Sequence, residues 1–227
     1  MTLAIRSITA LPLALAIAAC GGYASPGRSA APVSPAQAQG ETAAIARAKA
    51  DSIRNPYTAA DAHFMQSMIG HHSQAIAMAT WAPTHGASSS VRTLAERIIN
   101  AQQDEIVTMQ QWLGDRHQPV PEAKAGPMHM MMNGREQEML MPGMLTDAQM
   151  HQLDLAKGPD FDRLFLTDMI QHHRGAVSMV KDLFGTYGAA QDEIIFKFAS
   201  DVNVDQTTEI ARMERMLSSF SPQKSAQ

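Results

Sequence analysis

Residues 64–78 read FMQSMIGHHSQAIAM, and residues 165–179 read FLTDMIQHHRGAVSM. Sliding the chain on itself by 101 residues places Phe64 on Phe165, Met68 on Met169, His71 and His72 on His172 and His173, Met78 on Met179, and Asp61 on Asp162. A second correspondence follows at an offset of 104, where Gln102, Glu105, Ile106, Met109 and Leu113 match Gln206, Glu209, Ile210, Met213 and Leu217. An internal repeat constrains the architecture before any single residue is weighed. The repeated unit is an αα-hairpin, so the expected fold is all-α: a four-helix bundle of two duplicated hairpins, covering residues 55–113 and 161–220 with a connector between them.

At about 100° per residue, Asp61, Phe64, Met65, Met68, His72, Ala75 and Ala79 share one helix face, with His71 and Met78 along its flank. This helix is expected from near Thr58 to before Pro83, with Gly86 in the turn. Ser88 to Ser90 then cap a second helix that runs from about Val91 to Leu113 and stops at Gly114. Its apolar stripe is Leu94, Ile98, Ala101, Met109 and Trp112, interrupted by Glu105. The second hairpin repeats the pattern with Phe198, Val202, Met213 and Met216 around Glu209.

A carboxylate among apolar neighbours costs on the order of several kcal/mol unless it is paired or neutralised. Both glutamates therefore call for partners. With the turn near Gly86, His72 comes level with about Ile98 and Glu105 with about Met65. At a rise of about 1.5 Å per residue those levels lie roughly 10 Å apart. Pairing is thus expected across the hairpins, His72 with Glu209 and His173 with Glu105.

The connector, residues 114–160, holds eight methionines and His129 within the 24 residues PMHMMMNGREQEMLMPGMLTDAQM. Its length suits a crossover along a bundle. Thr146 and Gln149 form a capping-box pattern for a short helix ending at Gly158-Pro159, and the rest is expected to be irregular.

The chain has 227 residues, 45% hydrophobic and 18% charged, with a formal net charge of −4. That composition suits a globular core and lacks the basic footprint a nucleic-acid partner requires. Residues 1–20, MTLAIRSITALPLALAIAAC, combine Arg6, an apolar run and small residues before the single cysteine. This is the pattern of an export signal with a lipobox, in which Cys20 is the lipidated first residue of the mature protein. A lone cysteine excludes a disulfide within the chain. Residues 21–54 read as a flexible tether with a short helix, stopped by Asn55-Pro56. The expected membrane attachment is through the lipid only.

Metal binding needs donors that converge, and Met68 with His72, like Met169 with His173, places a thioether and an imidazole one turn apart on a helix face. Soft sulfur with borderline nitrogen favours Cu(I) or Ag(I) over Mg or Ca, and zinc has no use for the methionines. The alternative is structural: Met fills irregular cores, and a buried His facing a Glu is a self-sufficient polar pair. His63, His85, His117 and His151 read as ordinary surface or core histidines. For the connector the choice is between metal capture and plain low complexity.

The paired Met-Ile-x-His-His motifs with a following Met, the Gln-x-x-Glu-Ile helix, and the Met-Pro-Gly-Met segment before 161–166, FDRLFL, resemble the bacterial envelope family called domain of unknown function 305. The resemblance runs from about Asp61 to Leu217. It implies a ferritin-like fold and, by analogy with members of the CopM type, periplasmic copper binding. Carried over by motif, it points to Met68, His71, His72 and Met78 with their repeats Met169, His172, His173 and Met179, beside Glu105 and Glu209 from the residue reading. A di-iron oxidase needs Glu-x-x-His on two helices plus a glutamate on each of the others. This chain offers only the two central glutamates, neither with a His three residues on. No nucleophile stands beside a base, so the expectation is a binding protein with copper as its ion and no catalysis.

Overall fold

The computed structural model describes residues 57–220 apart from 127, 133 and 134, with side chains placed outside 127–138. The export signal, Cys20, the tether and the short helix expected near residues 41–53 lie outside the described residues. Among the described residues there are five helices: α1 (Ala59–Thr80), α2 (Ser89–Asp115), α3 (Asp147–Leu155), α4 (Gly158–Gly185) and α5 (Glu193–Phe220). The all-α expectation holds, with one addition. The connector carries a two-stranded antiparallel ladder, β1 (Met128–Met132) and β2 (Arg135–Met139), pairing Met128 with Met139 and Met132 with Arg135. No helix among the described residues is long and apolar enough to cross a membrane.

Local chemistry sets the helix boundaries. The Thr58 hydroxyl accepts the Asp61 N–H, and the Asp61 carboxylate accepts the Thr58 N–H at 2.7 Å, a reciprocal capping box that satisfies two otherwise orphaned donors. Thr146 and Gln149 do the same for α3. Ser88 caps α2 by accepting the Val91 N–H. The Asp192 carboxylate takes the N–H groups of Ile194 and Ile195 at the start of α5, and also a 2.8 Å ion pair from Arg116. Gly158 does not end the short helix as expected. It opens α4 at φ +57°, with Pro159 in the first turn, where a missing N–H costs nothing.

Helix α1 packs against α2 and α4, and α4 against α5. The apolar core falls into two clusters. One joins Phe64, Met65 and Ile69 of α1 to Ile106, Met109 and Trp112 of α2, Ala176 and Val180 of α4, and Phe198 and Val202 of α5. The other joins Ala75 and Ala79 of α1 to Leu94 and Ile98 of α2, Phe161 and Phe165 of α4, and Met213 of α5. The early part of α1 therefore meets the late part of α4, so these two helices run antiparallel. Between the two clusters every long helix contributes polar residues.

Candidate metal centre

That polar layer contains His71 and His72 from α1, Gln102 and Glu105 from α2, His172 and His173 from α4, and Gln206 and Glu209 from α5. The four histidines have no solvent exposure at all. His71 and His172 meet where α1 crosses α4, their ring centroids 3.8 Å apart. His72 lies 6.4 Å from His71, and His173 lies 6.2 Å from His172.

Each ring uses Nε2 as a donor. His71 donates to the Pro142 carbonyl at 2.9 Å and His172 to the His71 carbonyl at 2.9 Å. His72 donates to Glu105 Oε2 at 2.6 Å, and His173 to Glu209 Oε2 at 2.7 Å. A carbonyl or carboxylate oxygen only accepts, so the proton sits on Nε2, and a neutral ring so held carries its lone pair on Nδ1. All four Nδ1 atoms are buried with no hydrogen-bond partner. Both side-chain polar atoms of Gln102 and Oε1 of Gln206 share that condition. Unpaired buried polar atoms are rare in folded proteins, and here seven of them gather at one level.

Electrostatics keep the inner pair neutral. Burial, then the adjacent His72, pull the His71 pKa down to about 3 against the opposing pull of its bond to Pro142. His172 is lowered well below its ordinary value by burial and then by the other three rings. Proton and metal compete for the same lone pair, so a neutral, desolvated imidazole is a ready ligand.

The expected cross-hairpin pairing is not what the structure shows: Glu105 binds His72 and Glu209 binds His173, each within its own hairpin. The level arithmetic failed at the turn. Trp81 accepts from the N–H groups of Thr84 and His85 at 3.0 Å, continuing the path of α1 for another turn and moving the fold point to Ser88. Counted from Ser88, His72 is 16 residues back and Glu105 is 17 residues on, which brings them level. The glutamates are also less enclosed than expected, at 19% and 21% side-chain exposure. Ala101 is exposed, and the stripe passes through Gln102 instead. His71 and His172, expected on a flank, form the innermost pair.

The methionines bracket the layer. Met68 and Met179 belong to one apolar cluster, Met78 and Met169 to the other, and all four are buried. Among the described residues no three His, Cys, Asp or Glu side chains are placed to hold a metal ion. An ion at this level would draw on two imidazoles or on thioether sulfur as well, a donor set that suits a soft monovalent ion.

A strap covers the layer. In Met141-Pro142-Gly143-Met144, Pro142 holds His71, and Gln171 Nε2 donates to the Gly143 carbonyl at 3.3 Å. Gln74 clamps Leu145 through both its amide atoms, at 2.7 and 3.0 Å. A Cβ on Gly175 would stand 1.8 Å from the Pro142 oxygen, so only glycine lets the strap lie on α4. The strap's role escaped the sequence because the atom that matters at Pro142 is a main-chain carbonyl. Gln102 and Gln206 did leave a signal, recurring three residues before each glutamate.

A predominantly helical protein with a buried His-rich layer flanked by methionines is the class this geometry defines. The chain belongs to the family named Domain of unknown function (DUF305), which it matches over residues 61–217. A DUF305 fragment from Deinococcus radiodurans is similar in structure at TM-score 0.60 and 30% identity, covering 73% of this chain and 99% of its own. CopM in its Cu(I)-bound form is similar at TM-score 0.54 and 27% identity, over 71% of this chain and 98% of its own. CopM in an Ag-bound form gives TM-score 0.53 and 29% identity over the same shares. No curated protein matches the chain.

Proposed function

We propose that this chain is an exported, lipid-anchored protein that binds Cu(I) or Ag(I) inside a ferritin-like four-helix bundle of two duplicated hairpins, buffering or sequestering the ion without catalysing a reaction. The observation that carries the reading is the set of four buried imidazoles whose Nδ1 atoms have no partner. A purely structural polar layer would be expected to satisfy its own atoms. Here Glu105, Glu209 and two main-chain carbonyls occupy the Nε2 side of every ring and fix its orientation, as outer partners of metal-binding histidines commonly do. The donors would be His71, His72, His172 and His173, with Met68 and Met169 one turn away; Met78 and Met179 lie farther along, in the flanking apolar clusters. CopM, similar over most of its length, is recorded in Cu(I)- and Ag-bound forms, which supports the choice of ion.

The test is competition with a Cu(I) chelator. The purified protein is expected to hold Cu(I), and replacing His71 and His172 with Gln to weaken retention at least tenfold while helicity is kept. Indifference of the wild type to Cu(I) would leave the layer a structural one. Anchoring is tested separately by Cys20→Ser, which is expected to abolish incorporation of labelled fatty acid.

A further inference from the structure

A cavity of about 320 Å³ opens to solvent beside the strap, with Met141 and Pro142 in its wall. Four elements bring soft donors to its wall. His63 comes from the exposed side of α1, Met139 from the end of β2, Met141 from the strap and Met179 from α4. Asp182, exposed one turn beyond Met179, adds a carboxylate to the rim.

We propose that this cavity is a second, surface site for a soft monovalent cation, Cu(I) or Ag(I), with the thioethers of Met139, Met141 and Met179 and the imidazole of His63 as donors. Packing alone does not account for the residue choice. Methionine earns its place in a core by filling irregular gaps, yet Met139 is 39% exposed and lines the open cavity, not the core. Leucine would cover the same apolar wall. Three thioethers and one imidazole around a solvent-open cavity form a soft set that discriminates against Mg and Ca, and Asp182 supplies the negative charge that draws a cation to the rim. Met141 and Met179 are nearly buried, at 7% and 8% exposure, so their sulfurs sit in a poorly hydrated wall where a strongly hydrated divalent ion has little to gain.

Placement gives the cavity a second meaning. Pro142 lines it, and the Pro142 carbonyl holds His71 Nε2. The surface site and the buried layer thus share the strap as a common wall, and an ion captured outside lies next to the segment that closes the inner rings. The choice of ion rests on the proposed function; the donors and the cavity do not.

The experiment is Ag(I) titration of the intact protein, followed by NMR of methionine methyl groups and histidine rings, with Met139→Leu and Met141→Leu for assignment. Silver is expected to move the methyl resonances of Met139, Met141 and Met179 together with the His63 ring. The double Leu variant is expected to bind one silver fewer per chain, with the response of His71 and His172 intact. Unmoved methyls beside responding buried histidines would overturn the surface site and leave the inner one standing. Responding methyls beside unmoved buried histidines would do the reverse. Met139→Leu alone, at an exposed position, keeps the test free of folding effects, and full silver binding with unchanged affinity in that variant would also overturn the site.

Discussion

His71 is the residue on which burial and charge act most visibly. Its ring is neutral in the folded chain, with a pKa near 3, whereas an unfolded histidine titrates near 6.5. Between those values the unfolded state binds a proton that the folded state refuses, so stability falls as pH drops below about 6.5 and is fully present above it. From His71 alone the loss at pH 5 is roughly 2 kcal/mol, and His172 shifts in the same direction. Asp168 and Asp205 oppose them, because burial raises both carboxyls, Asp168 to about 6, and a carboxyl so raised gains from protonation. The two imidazoles are wholly buried and the two carboxyls only partly so, which leaves acid as the destabilising direction. Urea denaturation of the metal-free protein is therefore expected to show a lower midpoint at pH 5 than at pH 7.5. An unchanged or higher midpoint at pH 5 would mean the layer opens to water and its histidines titrate normally. The sequence did show that these histidines face the core, since periodicity alone puts them there. It hid the two whose rings meet, tilted 39° to each other, because which rings meet depends on how α1 crosses α4.

Elements explain where the reading from periodicity succeeded and where it stopped. The capping box at Thr146 is local and was legible, as was the start of α1 near Thr58, though the Thr58–Asp61 box itself was not read. The hairpin levels were not, because one extra turn after Thr80 shifts the whole register of α2 against α1. The β1–β2 ladder was missed although Asn133-Gly134, the pair between its strands in sequence, is a strong hairpin signal; the run of methionines drew attention to side-chain chemistry instead. The strap is the element most exposed to a single change. Gly175→Ala forces Pro142 off α4, since the contact at 1.8 Å is backbone against a new Cβ and neither can yield easily. The expected loss is about 1–3 kcal/mol, with His71 losing its acceptor. Gly185→Ala is the control: nothing lies within 4 Å of the added Cβ, and a helical Gly→Ala change favours the helix by roughly 0.5–1 kcal/mol. Thermal melts of the two variants side by side check the contrast, and equal melting points would remove the strap from the account of stability.

At the scale of the molecule the two halves hold each other at both ends. Asp61 Oδ1 accepts the Ala190 N–H at 2.7 Å, and Asp162 accepts the Ser88 N–H at 3.1 Å. Each aspartate opens the first helix of one hairpin and ties down the turn of the other. Asp61→Ala leaves the buried Ala190 N–H unpaired and is expected to cost about 1–3 kcal/mol; Asp162→Ala acts likewise at Ser88. Helix α1, 22 residues long, spans roughly 30 Å between the two ends, so the two losses are expected to add. A double variant much more stable than that sum would show that the ends communicate. The histidine layer sits midway between these ties, where α1, α2, α4 and α5 all contribute, so an ion bound there stabilises both apolar clusters at once. Binding to the folded state alone adds RT ln(1 + [L]/Kd), about 2.7 kcal/mol at a hundredfold excess over Kd. For a chain of this size each kcal/mol raises the melting point by roughly 2–4 °C. Silver at that excess is thus expected to raise it by about 5–11 °C in a single transition, and Mg at the same concentration to leave it unchanged. The Met139→Leu, Met141→Leu variant should keep most of that rise, because its silver is lost from the surface. Replacing His71 and His172 with Gln should remove the rise. If the His variant still melts higher with silver, the stabilising ion is held elsewhere, and the buried layer is a structural device after all.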